Sequence, residues 1–492
     1  MNLEEKIGQL IVPRLDFNDP KFDLALVEKL IKRYHIGNFI VFGGEIGQVV
    51  RSLNQLQSIS KQPVHFSADL ERGLGQQIRG ATTFPYFMGL AEAARCETTQ
   101  LITEAARITA LEARAAGIHL NYSPVLDINS NRDNPIINIR SFGEEPETVI
   151  QNGLAYIVGL RDHGMLSAVK HFPGHGDTQV DSHEDLPVLP HSAARLDRIE
   201  FRPFKRAVEE RIDALMVGHI AVPVLDDTGL PATMSKKIID GMLRNKWGFK
   251  GLIVTDALMM KAVTDRYSEE EVITKAFEAG ADQLLMPVEA ERACSTLTTL
   301  VTNKPEMLVR LDQSVQRIMA AKQRLGLFEN RWVDTVKTEN IVGCREHLKF
   351  AESITQKCFT VKRGRWPPEI KGSNTEIWLI KTDRNSFSTI RSYGGLKVIE
   401  SELSDENTSI PEFDPSKNLA VITDVKPMAW QKKNQLPETI NQTLEKYFQS
   451  KEHLFVACGN PYIGEHLRYL KNFVCTYSAS SMTQEEILKR LV

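Results

Sequence analysis

One short stretch of the chain, Lys170–Pro187, concentrates side chains that can transfer protons. It reads KHFPGHGDTQVDSHEDLP and holds three of the twelve histidines, four carboxylates and a lysine. The apolar run Leu166–Val169 before it predicts a buried strand, and the proline and glycines that follow predict a loop from Phe172 onward. A loop this rich in titratable groups, at the end of a buried strand, is typical of a catalytic site. The alternative is a solvated polar loop without chemistry.

The same stretch resembles the signature of glycoside hydrolase family 3, in its β-N-acetylglucosaminidase branch. That signature is KHFPGHG followed, after a short spacer, by DSH, and the two parts here are Lys170–Gly176 and Asp181–His183. The β-glucosidases of the family lack the DSH part, so the branch is indicated too. The resemblance covers Met1 to about Leu327. It implies a retaining hydrolase that removes terminal β-linked N-acetylglucosamine, with recycled peptidoglycan muropeptides as the expected substrate.

A second candidate for chemistry is Asp256, which follows an apolar run in GLIVTDALMM. A carboxylate in this position can cap a helix, because Asp is favoured at helix N-termini. The segment also resembles the family's nucleophile motif, a Thr-Asp or Ser-Asp after a hydrophobic strand. The resemblance therefore implies that Asp256 is the nucleophile, which forms a glycosyl ester with the anomeric carbon.

The resemblance gives the role of general acid and base to His183, and makes Asp181 the carboxylate that orients and tunes it. An imidazole suits this role because it titrates near neutral pH, and a neighbouring carboxylate raises the pKa of the imidazole. Without the resemblance, His183 would be interpreted as a hydrogen-bonding residue of the loop.

The resemblance also implies a set of sugar-binding side chains. Asp69, Lys170 and His171 match residues that hold sugar hydroxyls, and Arg140 matches an arginine near the acetamido group. Arg79 is a further candidate, at a place where this chain departs from the family. The family pattern is nearer DxEGGxVxR, whereas Asp69 to Arg79 reads DLERGLGQQIR.

Short apolar runs alternate with amphipathic helical patterns over the first two thirds of the chain. Eight such strand–helix units in roughly 300 residues predict a (β/α)8 TIM-like barrel, with a doubly wound open sheet as the alternative. The runs are Ile7–Val12, Ile36–Phe42, Val64–Ala68, Ile118–Tyr122, Leu166–Val169, Ala214–Val217, Gly251–Val254 and Asp282–Met286.

Polar side chains follow five of these eight runs. Catalytic residues of barrels lie at the carboxyl ends of the strands, and charge in that position is costly unless it is paired or used. The five positions are marked by Asp69, Asp127, Lys170, His219 and Asp256. His219 either lines a pocket or packs in the core. His175 and Asp177 are interpreted as structural parts of the loop predicted from Phe172 to Pro187, which we call the histidine loop.

The remainder of the chain predicts a second, smaller α/β unit. The expected division is a catalytic barrel over residues 1–328, a polar linker over 329–345 and a C-terminal domain over 346–492. Strands are expected at Ile377–Ile380, Leu419–Ile422, Leu454–Ala457 and Phe473–Tyr477. No catalytic constellation stands out among them, so the second domain is interpreted as a stabilising appendage.

Composition excludes several classes of protein. A net charge of −3 gives no electrostatic reason to expect nucleic-acid binding. The sequence contains no run of 18 apolar residues, so it predicts no membrane span. The N-terminal residues do not resemble a secretory signal, and the six cysteines are scattered without metal-binding spacing. We therefore expect a cytoplasmic enzyme with a carbohydrate substrate, reduced thiols, no cofactor and no bound metal.

Two other functions fit the same residues. One is a phosphorylase on this scaffold, because a histidine acid/base is neutral when the intermediate is resolved and does not repel phosphate. The other is an inactive sugar-binding protein, against which the complete set of Asp181, His183 and Asp256 argues.

Overall fold

The computed structural model describes residues 1–95, 97–178, 185–369, 374–383, 385–403, 410–425, 436–449, 451 and 453–491. A curled parallel sheet occupies the first part of the chain, and a second sheet of six strands follows. The first sheet and its edge pair contain β1 Ile11–Val12, β2 Arg14–Asp16, β3 Asn38–Phe42, β4 His65–Ala68, β5 Leu120–Asn121, β6 Leu166–Phe172, β7 Ala214–Val217, β8 Leu252–Thr255 and β9 Leu284–Leu285.

The curl of the first sheet follows from its strand pairing. Strands β2 to β8 pair in chain order, each parallel to the next. At the edges, β1 pairs with β9 through Ile11 and Leu284, and the Thr255 N–H donates to the Gln283 carbonyl at 3.1 Å. The result is an α/β fold whose curled parallel sheet resembles a TIM barrel, so that the carboxyl ends of its strands lie together.

Helices cover the outside of this sheet through apolar faces. In the helix Gln100–Ala115, for example, Ile102, Ala105 and Ala113 are buried, as the helical spacing of its apolar residues predicts. The α-helices of this part are α1 Leu3–Gly8, α2 Leu24–Tyr34, α3 Ile46–Ile59, α4 Phe87–Arg95, α5 Gln100–Ala115, α6 Pro146–Arg161, α7 Ala193–Arg198, α8 Arg202–Glu209, α9 Lys261–Thr264, α10 Glu269–Ala279, α11 Ala290–Asn303 and α12 Met307–Arg324. A π-helix spans Lys237–Lys246, and short 3₁₀-helices span Leu74–Gln76, Asn138–Arg140 and Ala232–Met234.

All eight expected runs contain strand residues, but two boundaries were wrong. The run Ile7–Val12 begins inside α1, because Asn2 and Glu5 form a capping box that starts a helix there. The loop expected from Phe172 onward begins later, since β6 continues through Phe172. Lys170 and His171 therefore lie on a strand.

The segment expected to be a linker contains a helix that packs on the first sheet's helices. This helix, α13 Thr335–Ile341, begins after Asp334, whose carboxylate accepts from the Val336 N–H at 2.9 Å. The Thr338 hydroxyl donates to the Ala115 carbonyl at 2.7 Å. The segment is thus fixed against α5.

The second sheet has the order β10-β15-β14-β13-β11-β12, and only its edge strand β10 is antiparallel to its neighbour. The four expected runs are β11, β13, β14 and β15, whereas β10 and β12 were missed because their residues are largely polar. The strands are β10 Thr360–Arg363, β11 Thr375–Lys381, β12 Lys397–Glu402, β13 Asn418–Asp424, β14 Leu454–Ala457 and β15 Asn472–Cys475. The helices are α14 Arg345–Lys357, α15 Ser388–Arg391, α16 Glu438–Phe448 and α17 Ser481–Leu491, with a turn at Pro461–Gly464.

Candidate active site

A cavity of about 820 Å³ lies at the carboxyl ends of the strands of the first sheet. Five of the residues expected from the sequence line it, namely Asp69, Arg140, Lys170, His171 and Asp256. They come from the ends of three strands and from a connecting segment, so the fold brings together groups up to 187 positions apart in the chain. The other walls include Arg14, Asp16, Phe42, Glu71, Arg72, Tyr86, His175, Met216, Met260, Lys261 and Met286.

One expected residue, Arg79, does not join this group in the described structure. Arg79 is exposed, pairs with Glu45 and is absent from the described walls of the cavity. It therefore lacks the position expected of a sugar-binding arginine, and the departure of the sequence from the family pattern was the signal. Asp181 and His183 lie outside the described residues.

The floor of the cavity is a network of paired charges. The Lys170 ammonium donates to Asp69 at 2.7 Å and lies 2.8 Å from Glu71. The Arg140 guanidinium donates two hydrogen bonds to Glu71, at 3.0 and 2.8 Å. Burial alone would raise the pKa of Glu71, but Arg140 and Lys170 hold this pKa well below its usual range. Glu71 is therefore ionised, which argues against it as a general acid.

His171 is held by a carboxylate that has no solvent exposure. The Asp127 carboxylate lies 2.7 Å from His171 Nδ1 and accepts from the backbone N–H of His175 at 2.6 Å. Burial raises the pKa of Asp127, but His171 and these hydrogen bonds outweigh it and lower the pKa overall. An ionised Asp127 fixes the ring of His171, with Nε2 as the nitrogen that remains for a substrate hydroxyl.

A register shift in β6 lets two consecutive residues line the cavity. Side chains of a regular strand alternate between its faces, so Lys170 and His171 would point in opposite directions. The pairing with β7 shifts between Val169 and Phe172, which is the irregularity of a β-bulge. Bulges next to active sites re-aim side chains, and this one places both residues in the cavity.

Asp256 follows β8 directly and is half-buried in the cavity wall. Its backbone N–H donates to the Val217 carbonyl at 2.8 Å, and its carboxylate accepts from the Ala257 N–H at 2.8 Å. The next helix, α9, has Met260 as its N-cap. The helix-cap interpretation of Asp256 is therefore wrong, and the carboxylate is presented to the cavity.

The other histidines of the region have structural partners. His219 is fully buried, and its ring nitrogens bond to the Thr233 hydroxyl at 2.8 Å and the Ala257 carbonyl at 3.0 Å. His175 touches the cavity, but its Nδ1 bonds to the Thr178 hydroxyl at 2.6 Å. Burial lowers the pKa of His175 to about 4. His219 is thus a packed residue, and His175 is neutral at physiological pH.

Asp177 belongs to a polar cluster with His191 and Glu200. The potential ligand atoms of these three residues lie within 4.8 Å of one another, which is a spacing that a metal could use. However, the Arg195 guanidinium donates to Asp177 at 2.9 Å and to Glu200 at 3.3 Å. The Arg195 guanidinium therefore already supplies, next to these carboxylates, the positive charge that a metal ion would bring. Because Asp177 is paired in this way, it is a poor alternative to His183 as the general acid.

Several residues of the cavity were given no role from the sequence. Asp127 was noted as a charge after a strand but was assigned no function, and Glu71, two positions after Asp69, carries the same kind of signal. Tyr86 and the methionines Met216, Met260 and Met286 come from separate segments of unremarkable sequence, so only the fold reveals them.

Comparison with known proteins decides the family. Residues 2–321 match the model described as the glycosyl hydrolase family 3 N-terminal domain. The chain belongs to this family of glycoside hydrolases. None of the described helices is long and apolar enough to cross a bilayer.

Relatives of this family 3 member include proteins named for hexosaminidase activity. "Beta-hexosaminidase A" of Pseudoalteromonas piscicida is 30% identical over 393 residues, which cover 68% of this chain and 66% of that protein. A family 3 β-N-acetylglucosaminidase from Paenibacillus sp. str. FPU-7 has a TM-score of 0.81 and 27% identity, and the match covers 100% of this chain and 97% of that one. The β-glucoside phosphorylase BglX, at 24% identity and a TM-score of 0.88, shows the same fold over 100% of this chain and 93% of its own.

Proposed function

We propose that this protein is a retaining exo-β-N-acetylglucosaminidase that removes terminal β-linked N-acetylglucosamine through a covalent glycosyl-aspartate intermediate. The observation that carries the proposal is the half-buried Asp256 carboxylate in the same cavity as the paired Asp69, Lys170 and Arg140. A retaining glycosidase needs a nucleophilic carboxylate on one face of a sugar that is held by polar groups. Hexosaminidase activity in the names of the relatives supports the choice of sugar.

We propose the following role for each residue of the cavity. Asp256 attacks the anomeric carbon, while Asp69, Lys170 and His171 bind hydroxyls and Arg140 binds near the acetamido group. The sequence resemblance assigns proton transfer to His183, with Asp181 as its orienting partner. Paired charges in the floor suit sugar binding, because charge-assisted hydrogen bonds can strengthen as the transition state forms.

The natural substrates that we propose are peptidoglycan-derived muropeptides, cleaved in the cytoplasm during cell-wall recycling. Five cysteines of the described residues are free thiols, and four of these are buried, which fits a reducing compartment. We further propose a complete (β/α)8 barrel over residues 1–328 and a separate C-terminal domain over 346–492, joined by 329–345.

The nucleophile is tested by Asp256→Ala and by a 2-fluoro or 5-fluoro N-acetylglucosamine derivative. We expect turnover of a chromogenic N-acetylglucosaminide to fall by at least about 10³-fold, since the covalent pathway is lost. Circular dichroism should show an unchanged fold, and peptide mass mapping should find the fluoro sugar on Asp256 of the wild type.

Asp265→Asn, a change of an exposed carboxylate nine positions further on, is the matched control and should keep normal turnover. Near-normal activity of Asp256→Ala, or a fluoro sugar attached to another carboxylate, would remove Asp256 from the role. Equal rates on an N-acetylglucosaminide and the matching glucoside would contradict the assignment of the sugar.

Phosphorolysis is the second candidate function. Lys261 lines the cavity five positions after Asp256, and the described residues supply no carboxylate partner for its ammonium. A cation in that position can attract phosphate towards the glycosyl-enzyme. The product formed in phosphate buffer separates the two functions: free N-acetylglucosamine indicates hydrolysis, and the sugar 1-phosphate indicates phosphorolysis.

A further inference from the structure

Arg72 lies between two cavities. It lines the 820 Å³ cavity that contains Asp256 and also a second cavity of about 500 Å³. The second cavity has walls from both sheets' loops, with Gly75 and Thr83 on one side and Asn385 and Ser480 on the other. Arg72 is therefore a wall residue that the two cavities share.

The guanidinium of Arg72 differs from the other arginines of the first cavity in its partners. Arg140 pairs with Glu71 at 2.8 Å, and Arg14 lies 3.5 Å from Asp16. Within the described part of the chain, Arg72 makes no salt bridge, and its Cζ stacks 4.6 Å from the centre of the Tyr86 ring. An arginine can keep its flat face on an aromatic ring while its N–H groups bind a carboxylate bidentately, and Arg72 makes the ring contact that this arrangement needs.

The second cavity supplies polar groups suited to a sugar or a short peptide. Its walls combine hydroxyls, amides and backbone, and they include Ser481, the first residue of α17, with Ser480 before it. The helix dipole adds positive potential there. The acid of the described walls is Asp383, whose carboxylate accepts from the Asn385 N–H at 2.8 Å. At about 500 Å³ the cavity is far larger than a phosphate ion, so its size suits a sugar or a short peptide better.

The sequence at Arg72 supports a role particular to this chain. When Asp69 and Glu71 are aligned with the acids of the pattern DxEGGxVxR, Arg72 stands in place of the first glycine. A long cationic side chain at a glycine position of a cavity wall adds a function that the pattern itself does not contain.

We infer that Arg72 binds a carboxylate carried by the leaving group of the substrate, and that the rest of this leaving group occupies the second cavity. The inference rests on the proposed function, because it assumes that the sugar to be cleaved lies beside Asp256. It deepens the proposed function by assigning Arg72 as the residue that recognises the acidic group of the leaving group. Arg72 determines specificity and takes no part in proton transfer.

The test compares two aryl N-acetylglucosaminides that differ only in charge. One leaving group is 4-(carboxymethyl)phenol and the other is its primary amide, in which the methylene separates the changed group from the phenol oxygen. The wild type should prefer the acid in kcat/KM by roughly tenfold, the size expected of charge-assisted hydrogen bonds. Arg72→Met should abolish this preference through a higher KM for the acid, while its rate on the amide stays within about twofold. Arg79→Met, an equivalent change at an exposed arginine outside the described walls, should behave like the wild type.

A second variant tests the second cavity. Asn385 is exposed at its wall, so Asn385→Trp should be tolerated and should fill the space. It should slow cleavage when the acidic leaving group is extended by a dipeptide amide, and should leave the short acid unaffected. Equal rates of this variant on the long and short substrates would remove the second cavity from the inference.

Three results would overturn the role of Arg72. These are a wild type without preference for the acid, an Arg72→Met that slows both substrates equally, and a loss confined to phosphate-dependent release of the sugar 1-phosphate. The last result would assign Arg72 to phosphate as the acceptor. Failure of the proposed function itself looks different, because the wild type would then cleave neither substrate.

Discussion

Individual carboxylates of the site have distinct tasks because their neighbours differ. The Glu71 carboxylate is ion-paired with Arg140 and Lys170. The Asp127 carboxylate is bound to His171 and to backbone N–H groups. The Asp256 carboxylate accepts from one backbone N–H at the cavity wall. The first two are ionised and fixed, so they can only position other groups. Asp256 is therefore the acid whose place best suits attack on a sugar.

Asp127→Asn should lower the free energy of unfolding by about 2–4 kcal/mol at pH 7, because a buried charged acceptor of several hydrogen bonds is lost. The pKa of Asp127 is lower in the folded state than its unfolded value of about 3.9. Its stabilising effect is thus complete above that value and is lost as pH falls through the folded pKa. Urea denaturation should accordingly show a smaller difference from the wild type at pH 3 than at pH 7.

The control for this prediction is Asp312→Asn, which removes an exposed carboxylate paired with Lys6 at 2.6 Å. Surface pairs contribute little, so the variant should unfold close to the wild type at both pH values. A destabilisation by Asp127→Asn that is the same at pH 3 and pH 7 would show that its ionisation is not what stabilises the fold.

Among the elements, the segments that follow β5 and β6 depend on each other. The Asn134 side chain donates to the His175 carbonyl at 2.8 Å, and the Asn131 N–H donates to the Gly176 carbonyl at 3.3 Å. A Cβ on Gly176 would lie 1.7 Å from the Ile128 carbonyl oxygen. The first segment carries Asp127 and the second runs through His175 to Thr178, so their close approach positions Asp127 and these residues.

Gly176→Ala should destabilise the protein by about 3 kcal/mol and lower kcat/KM, because the two backbones must separate. Gly241→Ala is a suitable control, since its Cβ would meet nothing closer than the Lys236 carbonyl at 3.8 Å. In a helical segment this change should be neutral or stabilising. Thermal unfolding and steady-state kinetics of both variants provide the measurement, and a Gly176→Ala protein with normal stability and activity would contradict the close packing.

The strand ends of the candidate site could be predicted, because apolar runs followed by Asp69, Lys170 and Asp256 are local patterns and parallel strands end at one edge. The bulge in β6 could not, since a register shift depends on how β6 pairs with β7. Likewise the place of Arg72 beside a second cavity depends on loops hundreds of positions away in the chain. Asp181 and His183 remain predictions from the resemblance alone.

At the scale of the whole molecule, one hydrophobic cluster joins both sheets and contains Phe87 of α4 and Tyr477 beyond β15, while a second cluster around Ile377 and Ile487 lies within the C-terminal part alone. A fully buried carboxylate, Glu112, supports this contact. It accepts from the Thr82 N–H and hydroxyl at 2.9 and 2.6 Å, and from the Gly343 N–H at 2.9 Å. The His347 ring nitrogen lies 2.8 Å from it. Large apolar contact and shared buried polar groups favour unfolding as one unit.

Glu112→Gln should therefore shift the unfolding of the entire protein rather than that of one sheet. Loss of the charged acceptor should lower the free energy of unfolding by about 2 kcal/mol, because buried donors in both parts lose their partner. Calorimetry should show a single transition that moves to lower temperature, coincident with loss of activity. Glu352→Gln, at an exposed residue 3.4 Å from Lys489, should leave the transition in place. Two separate transitions in the variant, with the cavity still active after the first, would show that the second sheet stabilises itself independently and that the shared core is not cooperative.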